Sequence, residues 1–170
     1  MAPLRRAANC LTPSVLQSTL AESRQSGVGF AGFPGNRPVV VRTTSGGRAF
    51  QLDVRLRYRL HTSGGTWTVR TFAYVFRLGD AEDREILAFH WHPGGEGFAA
   101  PHLHIGHAAA ERIRPELQKA HIPTGIIVVE DFILLAVREF EIPAVPDVER
   151  ILAETRAETT AAAEYSTSIR

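Results

Sequence analysis

Phe50-Gln51-Leu52-Asp53-Val54-Arg55-Leu56-Arg57-Tyr58-Arg59-Leu60-His61 alternates an apolar residue with a polar one at every step. Successive side chains of a strand point to opposite faces, so this stretch reads as a long half-buried strand. Its apolar file faces a core, and Arg55, Arg57, Arg59 and His61 line the other side. Thr62-Ser63-Gly64-Gly65 supplies a glycine turn, and the β-branched and aromatic run from Trp67 to Leu78 returns as the second arm of a hairpin. A tight turn predicts that Trp67, Val69, Ala73 and Val75 share the core face, leaving Arg70, Phe72, Tyr74 and Phe76 beside the arginines.

Outward from the hairpin, the charged turn Asp80-Ala81-Glu82-Asp83 precedes a third strand, Glu85 to His92. His102 to Gly106 makes a short fourth strand, and Pro38 to Thr43 an edge strand. Val129, Phe132, Ile133, Ala136, Val137 and Phe140 follow the i, i+3, i+4, i+7 spacing of a helix able to cover the sheet. Pro143 and Pro146 interrupt it, and Asp147 caps a second amphipathic segment through Val148, Ile151 and Leu152. Beyond Ala157 the Thr/Ala/Ser-rich tail is expected to fray.

Toward the N-terminus, Thr12-Pro13 reads as a cap and first helical position, with Val15, Leu16 and Leu20 on one side of a helix ending near Arg24. Gly27 to Gly35, with four glycines and Pro34, reads as a connector and lacks a dinucleotide or P-loop fingerprint. The fold class is therefore α+β: an antiparallel β-sheet meander covered by N- and C-terminal helices. One domain is expected over residues 1–170, with an ordered core at 12–157.

Hydrophobic residues at 44% and charged residues at 22% fit an ordinary globular chain. A formal net charge of +1 offers phosphates no chain-wide attraction, so nucleic-acid binding would need a local patch. A single cysteine, Cys10, excludes an internal disulfide and any zinc site built on several thiolates. The most hydrophobic stretch, Gly125 to Phe140, is broken by Glu130 and Asp131 and falls short of the ~20 apolar residues that span a bilayer. Met1-Ala2-Pro3-Leu4-Arg5-Arg6 is not followed by a signal-like apolar run, so a cytoplasmic protein with no membrane partner is expected.

Five of the seven histidines, His90, His92, His102, His104 and His107, fall in one short stretch. His90 and His92 share a strand face, as do His102 and His104. Pro93-Gly94-Gly95 and Ala99-Ala100-Pro101 let the chain turn back between the pairs. Two chemistries suit such a site. Neutral imidazoles, with Glu96 as a further ligand, suit zinc or another divalent metal that activates water. Alternatively, two histidines near their ordinary pKa act as general acid and base in phosphodiester cleavage. The row Arg55, Arg57 and Arg59, with Tyr74 for stacking, is a candidate substrate-binding surface for RNA. His121, before Ile122-Pro123-Thr124-Gly125, reads as orienting the start of the helix.

The order strand meander, His-x-His-Pro, short gap, Pro-His-x-His and a helix entered through Pro-Thr-Gly resembles the TumE-like toxins of prokaryotic toxin–antitoxin modules. The resemblance spans roughly Arg48 to Ile142 and rests on His90, His92, His102 and His104. It implies a toxin, with RNA as candidate target and a cognate antitoxin-like protein as partner. His90-Trp91-His92-Pro93 also fits the start of the JAMM metalloprotease pattern, but Pro101 and His104 stand where that pattern has serine and aspartate. The expected function is a metal-binding or RNA-cleaving hydrolase at the histidine cluster. The alternative is a non-catalytic interaction module in which the histidines only stabilise a turn.

Overall fold

The alternation at Phe50 to Leu60 becomes the central strand of one antiparallel sheet. The computed structural model describes residues 2–44, 46–63, 66–94, 98–112 and 120–167. In chain order these form α1 (Ala2–Ala8), β1 (Gln17–Ser18), α2 (Leu20–Ser26), β2 (Val28–Gly32), β3 (Val39–Arg42), β4 (Ala49–Ser63) and β5 (Thr66–Gly79). β6 (Glu85–Trp91), β7 (His102–Ile105), β8 (Ile122–Pro123), α3 (Val129–Phe140) and α4 (Val148–Thr167) follow. The eight strands run in the order β1-β2-β4-β5-β6-β7-β8, with β3 also paired to β4. The fold is the expected α+β arrangement, with helices at both ends of the chain. Gly64-Gly65, Gly95 and Glu96 lie outside the described residues.

Phe50, Leu52, Val54, Leu56, Tyr58 and Leu60 are all buried, as their spacing requires. The helices pack on that face: Phe132 of α3 meets Phe76 at 5.7 Å and Phe89 at 6.3 Å between ring centroids, and Phe140 meets Phe50 at 5.6 Å. α3 begins and ends where its apolar spacing predicts. Asp131 in its first turn accepts the Val128 N–H and pairs with Arg156 of α4.

The face assignment of β5 needs correction. Leu60 stands opposite Val69 and Arg59 opposite Arg70, as a tight turn implies, but the register shifts between Arg57 and Tyr58. Tyr58 pairs with Thr71 and Arg57 with Ala73, so Phe72 is one extra residue on β5. Such a bulge reverses the facing of everything beyond it. Leu56, Val54 and Leu52 consequently oppose Tyr74, Phe76 and Leu78 on the core side, while Ala73 and Val75 oppose Arg57 and Arg55.

Two N-terminal expectations are also corrected. Residues 13–16 are not helical: the Thr12 hydroxyl accepts the Ser14 N–H in a local turn, and Gln17-Ser18 pair with β2. The helix is the shorter α2, ended by Gly27 in the left-handed region at φ 71°. The glycine-rich segment is a strand, because Gly29 sits opposite Tyr58 with no room for a side chain between them. A β-carbon at Gly29 would press into the Tyr58 ring. Gly29→Ala should therefore lower stability by ~1–3 kcal/mol in urea unfolding; an unchanged midpoint would contradict this packing.

Candidate metal centre

Antiparallel pairing carries the face of Arg55 and Arg57 across the sheet. Arg55 opposes Val75, Val75 opposes His90, and His90 opposes His102. His104 opposes Ala88 on the same face. β8 extends the pattern: His102 pairs with Pro123 and Leu103 with Ile122, which sets His121 beside His104 at the next position. All four histidines singled out by sequence thus come together, and His121 joins them. His107 does not; it is exposed at the start of a 3-10 turn over residues 107–112.

The rings form one contiguous cluster. Centroids are 4.7 Å apart for His90 and His104, 4.8 Å for His102 and His104, 4.7 Å for His104 and His121, and 5.1 Å for His102 and His121. His92 extends the group from its open end, with its Nε2 3.2 Å from His90 Nδ1. Phe98 closes one side, 5.1 Å from the His102 ring and 5.5 Å from that of His121.

The ligand nitrogens of His102, His104 and His121 lie within 4.8 Å of one another, close enough to hold a metal ion. His102 is buried, and its Nδ1 donates to the Ala100 carbonyl at 2.7 Å. That bond places the ring proton on Nδ1 and leaves the Nε2 lone pair for a ligand, the usual orientation of a metal-binding histidine. The Nε2 atoms of His90 and His104 are buried without a hydrogen-bond partner. Unpaired buried polar atoms cost about 1–3 kcal/mol each, a cost a bound ligand would relieve.

Electrostatics keep several of these rings neutral. Desolvation, reinforced by His104, His92, His102 and Arg55, pushes His90 down to about 4. Desolvation also lowers His92, with His102, Arg55 and Arg57 adding to it. His104 is lowered by desolvation and by His102, His121 and His92. Each positive neighbour makes a further proton costlier.

Arg55 is tied to Asp53 at 2.8 Å, and Arg77 lies 4.0 Å from the same carboxylate. Arg57 and Arg59 stand farther along β4, exposed, with their guanidinium carbons 5.3 and 4.9 Å from the Phe72 ring centroid. Tyr74 is a correction: the bulge turns it to the core, where it is buried and its hydroxyl accepts the Ile127 N–H at 3.0 Å. It stacks on Phe76 and presents no ring to the arginine face. Sequence reasoning missed His121 because its partner His104 is set by the β7–β8 register across residues 106–120. Ile122-Pro123 is too short a strand to announce itself.

No known family, characterised protein or solved structure matches the chain.

A group held below its unfolded pKa takes its proton more readily once the chain unfolds. Acid should therefore weaken the metal-free fold as pH falls from 6.5 toward 4, with His90 contributing across that window. Urea midpoints of chelator-treated protein should drop across that window, and by less in His90→Asn. Equal slopes in the two proteins would contradict the burial of this ring.

Proposed function

We propose that the protein is a metal-dependent hydrolase whose centre is a divalent transition ion, zinc foremost, held by His102, His104 and His121. The observation that carries this reading is the convergence of three imidazoles, with His102 oriented by the Ala100 carbonyl so that Nε2 is the free nitrogen. Three histidine ligands with an open fourth position are the donor set of a catalytic rather than a structural zinc site. Zn–N bonds of about 2.0–2.1 Å require the rings to draw together, and His121, the exposed member, is the one free to swing inward. A metal held by these three residues would supply Lewis-acid activation of water and of an ester oxygen.

The chain's own groups would then act on the substrate. Arg55 and Arg57, on the same face, favour an anionic group near the centre, so a phosphodiester is the supported class of bond. Phe98 narrows access of bulk water from one side of the cluster. His92, the exposed neighbour of His90, stands beside the centre as a proton acceptor. The low pKa of His90 leaves it unprotonated at neutral pH, which favours this reading over metal-free catalysis by a histidine acid–base pair.

Metal analysis by mass spectrometry, on untagged protein purified without chelator, tests the assignment. About one ion per chain is expected, lost in His102→Ala and His121→Ala and retained in His107→Ala. Metal-free wild-type protein, or unaltered metal content in both site variants, would overturn it. If the two variants lower only the melting temperature while no metal is present in any sample, the cluster is structural and the interaction-module reading gains.

A further inference from the structure

We infer that the file of Arg55, Arg57 and Arg59, leading toward the histidine cluster, is the track of a single-stranded polynucleotide. This rests on the hydrolase reading for its catalytic consequence and names its substrate. The binding surface itself is independent of any metal.

The first argument is spacing. Alternate residues of one strand stand about 6.6–6.8 Å apart on the same face, close to the repeat of an extended nucleotide chain. Arginines rooted at that interval have the reach to meet successive phosphates in a way that one isolated anion would not need.

The second is unbalanced charge. Arg59 stands directly opposite Arg70, and like charges facing each other across an antiparallel pair are destabilising. Among the described residues, Arg57, Arg59 and Arg70 make no ion pair with a carboxylate, whereas Arg55 and Arg77 share Asp53. A row of cations left without internal partners suits an anion that comes from outside the chain.

The third is preorganisation. The bulge puts Phe72 on this face in addition to Ala73, and both Arg57 and Arg59 lie over the Phe72 ring. Guanidiniums held against a ring in this way lose less entropy on binding and can stack against a base. Between this row and the histidines lies an open pocket of about 170 Å³ lined by Phe30, Arg55, Arg57, Ala73, Val75 and His92. Its small floor residues, its aromatic wall and its two arginines suit one nucleotide at the entrance to the metal centre. Duplexes hide their base faces, so stacking on Phe30, Phe72 and the guanidiniums selects a single strand.

Fluorescence anisotropy with labelled oligouridine and oligodeoxythymidine tests this, using the full chain in chelator at low salt. Single strands should bind, and either sugar satisfies the shared phosphate-and-base chemistry; a preference between them identifies the source as RNA or DNA. Arg57→Ala/Arg59→Ala should weaken binding by roughly tenfold or more. It should also flatten the log–log salt dependence by ~1.4, since each single-strand phosphate left without its arginine removes about 0.7 from the slope. Phe72→Leu should weaken binding with the salt slope unchanged. Absence of binding, equal competition by inorganic polyphosphate or by a duplex, or wild-type affinity in the folded double-arginine variant would each overturn the track. Metal content of the double-arginine variant separates the two readings: retained metal with abolished binding supports the track whatever the centre does. Loss of metal in the histidine variants with intact binding leaves the track standing.

Discussion

The register of β5 against β4, with its one extra residue at Phe72, is the constraint from which the rest of the structure follows. Without the bulge, Ala73 and Val75 would face α3 and α4, and Tyr74 and Phe76 would face solvent. The pairing of β6 on β5 is fixed from Val75 onward, so His90 follows whichever face Val75 takes. His102 follows His90, and His104 and His121 follow in turn. A single inserted residue thus sends the large rings to the core and the imidazoles to the open face. It also leaves Phe72 where the arginines can rest on it.

Grouping imidazoles this closely is expensive for the apo chain. His90, His92 and His104 lose water on burial, and a charge on one neighbour opposes a charge on the next, which holds these three below the usual imidazole range. Among the described residues, only His102 of the cluster has its orientation tied to the backbone, through Ala100. His90 and His92 satisfy one nitrogen each from the other, and two buried Nε2 atoms go without partners. Concentrated dissatisfaction of this kind is what a fold retains at a site used for binding, since an apolar residue at any of these strand positions would pack more cheaply.

Much of the architecture is legible in the sequence because it depends on local periodicity. The alternation of β4, the i, i+3, i+4 spacing of α3 and the edge strand at Val39–Arg42 all emerge from side-chain pattern alone. The His-x-His pairs are equally plain, since two residues apart on a strand means one face. What escapes depends on contacts distant in sequence. The glycines of β2 look like loop residues until Tyr58 is seen against Gly29. The bulge has no residue signature, as Phe72 is a good strand former, and the facing of Tyr74 is hidden with it. His121 gains its place only when β8 is laid beside β7. The alanine- and proline-rich opening of α1 offers no strong amphipathic spacing, although Ala7 and Ala8 are buried beneath α4.

Charge on the open face is graded along the strands, and the grading divides the face into two regions. At the end nearest Gly79, Asp53 is buried between Arg55 and Arg77, and Arg77 also reaches Asp83, so positive charge is met internally. Burial raises the Asp53 carboxyl, and the two arginines pull it back toward ionisation. Toward the hairpin tip the compensation stops at Arg57, and the surface turns to uncompensated guanidinium over an aromatic ring. The histidines lie beyond β5, on β6, on β7 and just before β8, and burial holds His90, His92 and His104 below the usual imidazole range. An anion drawn to the exposed arginines of β4 would meet, across β5, imidazoles with no repelling carboxylate among the described residues of the cluster. Arginines and imidazoles share one open face, and the strand register that separates core from surface is what aligns them.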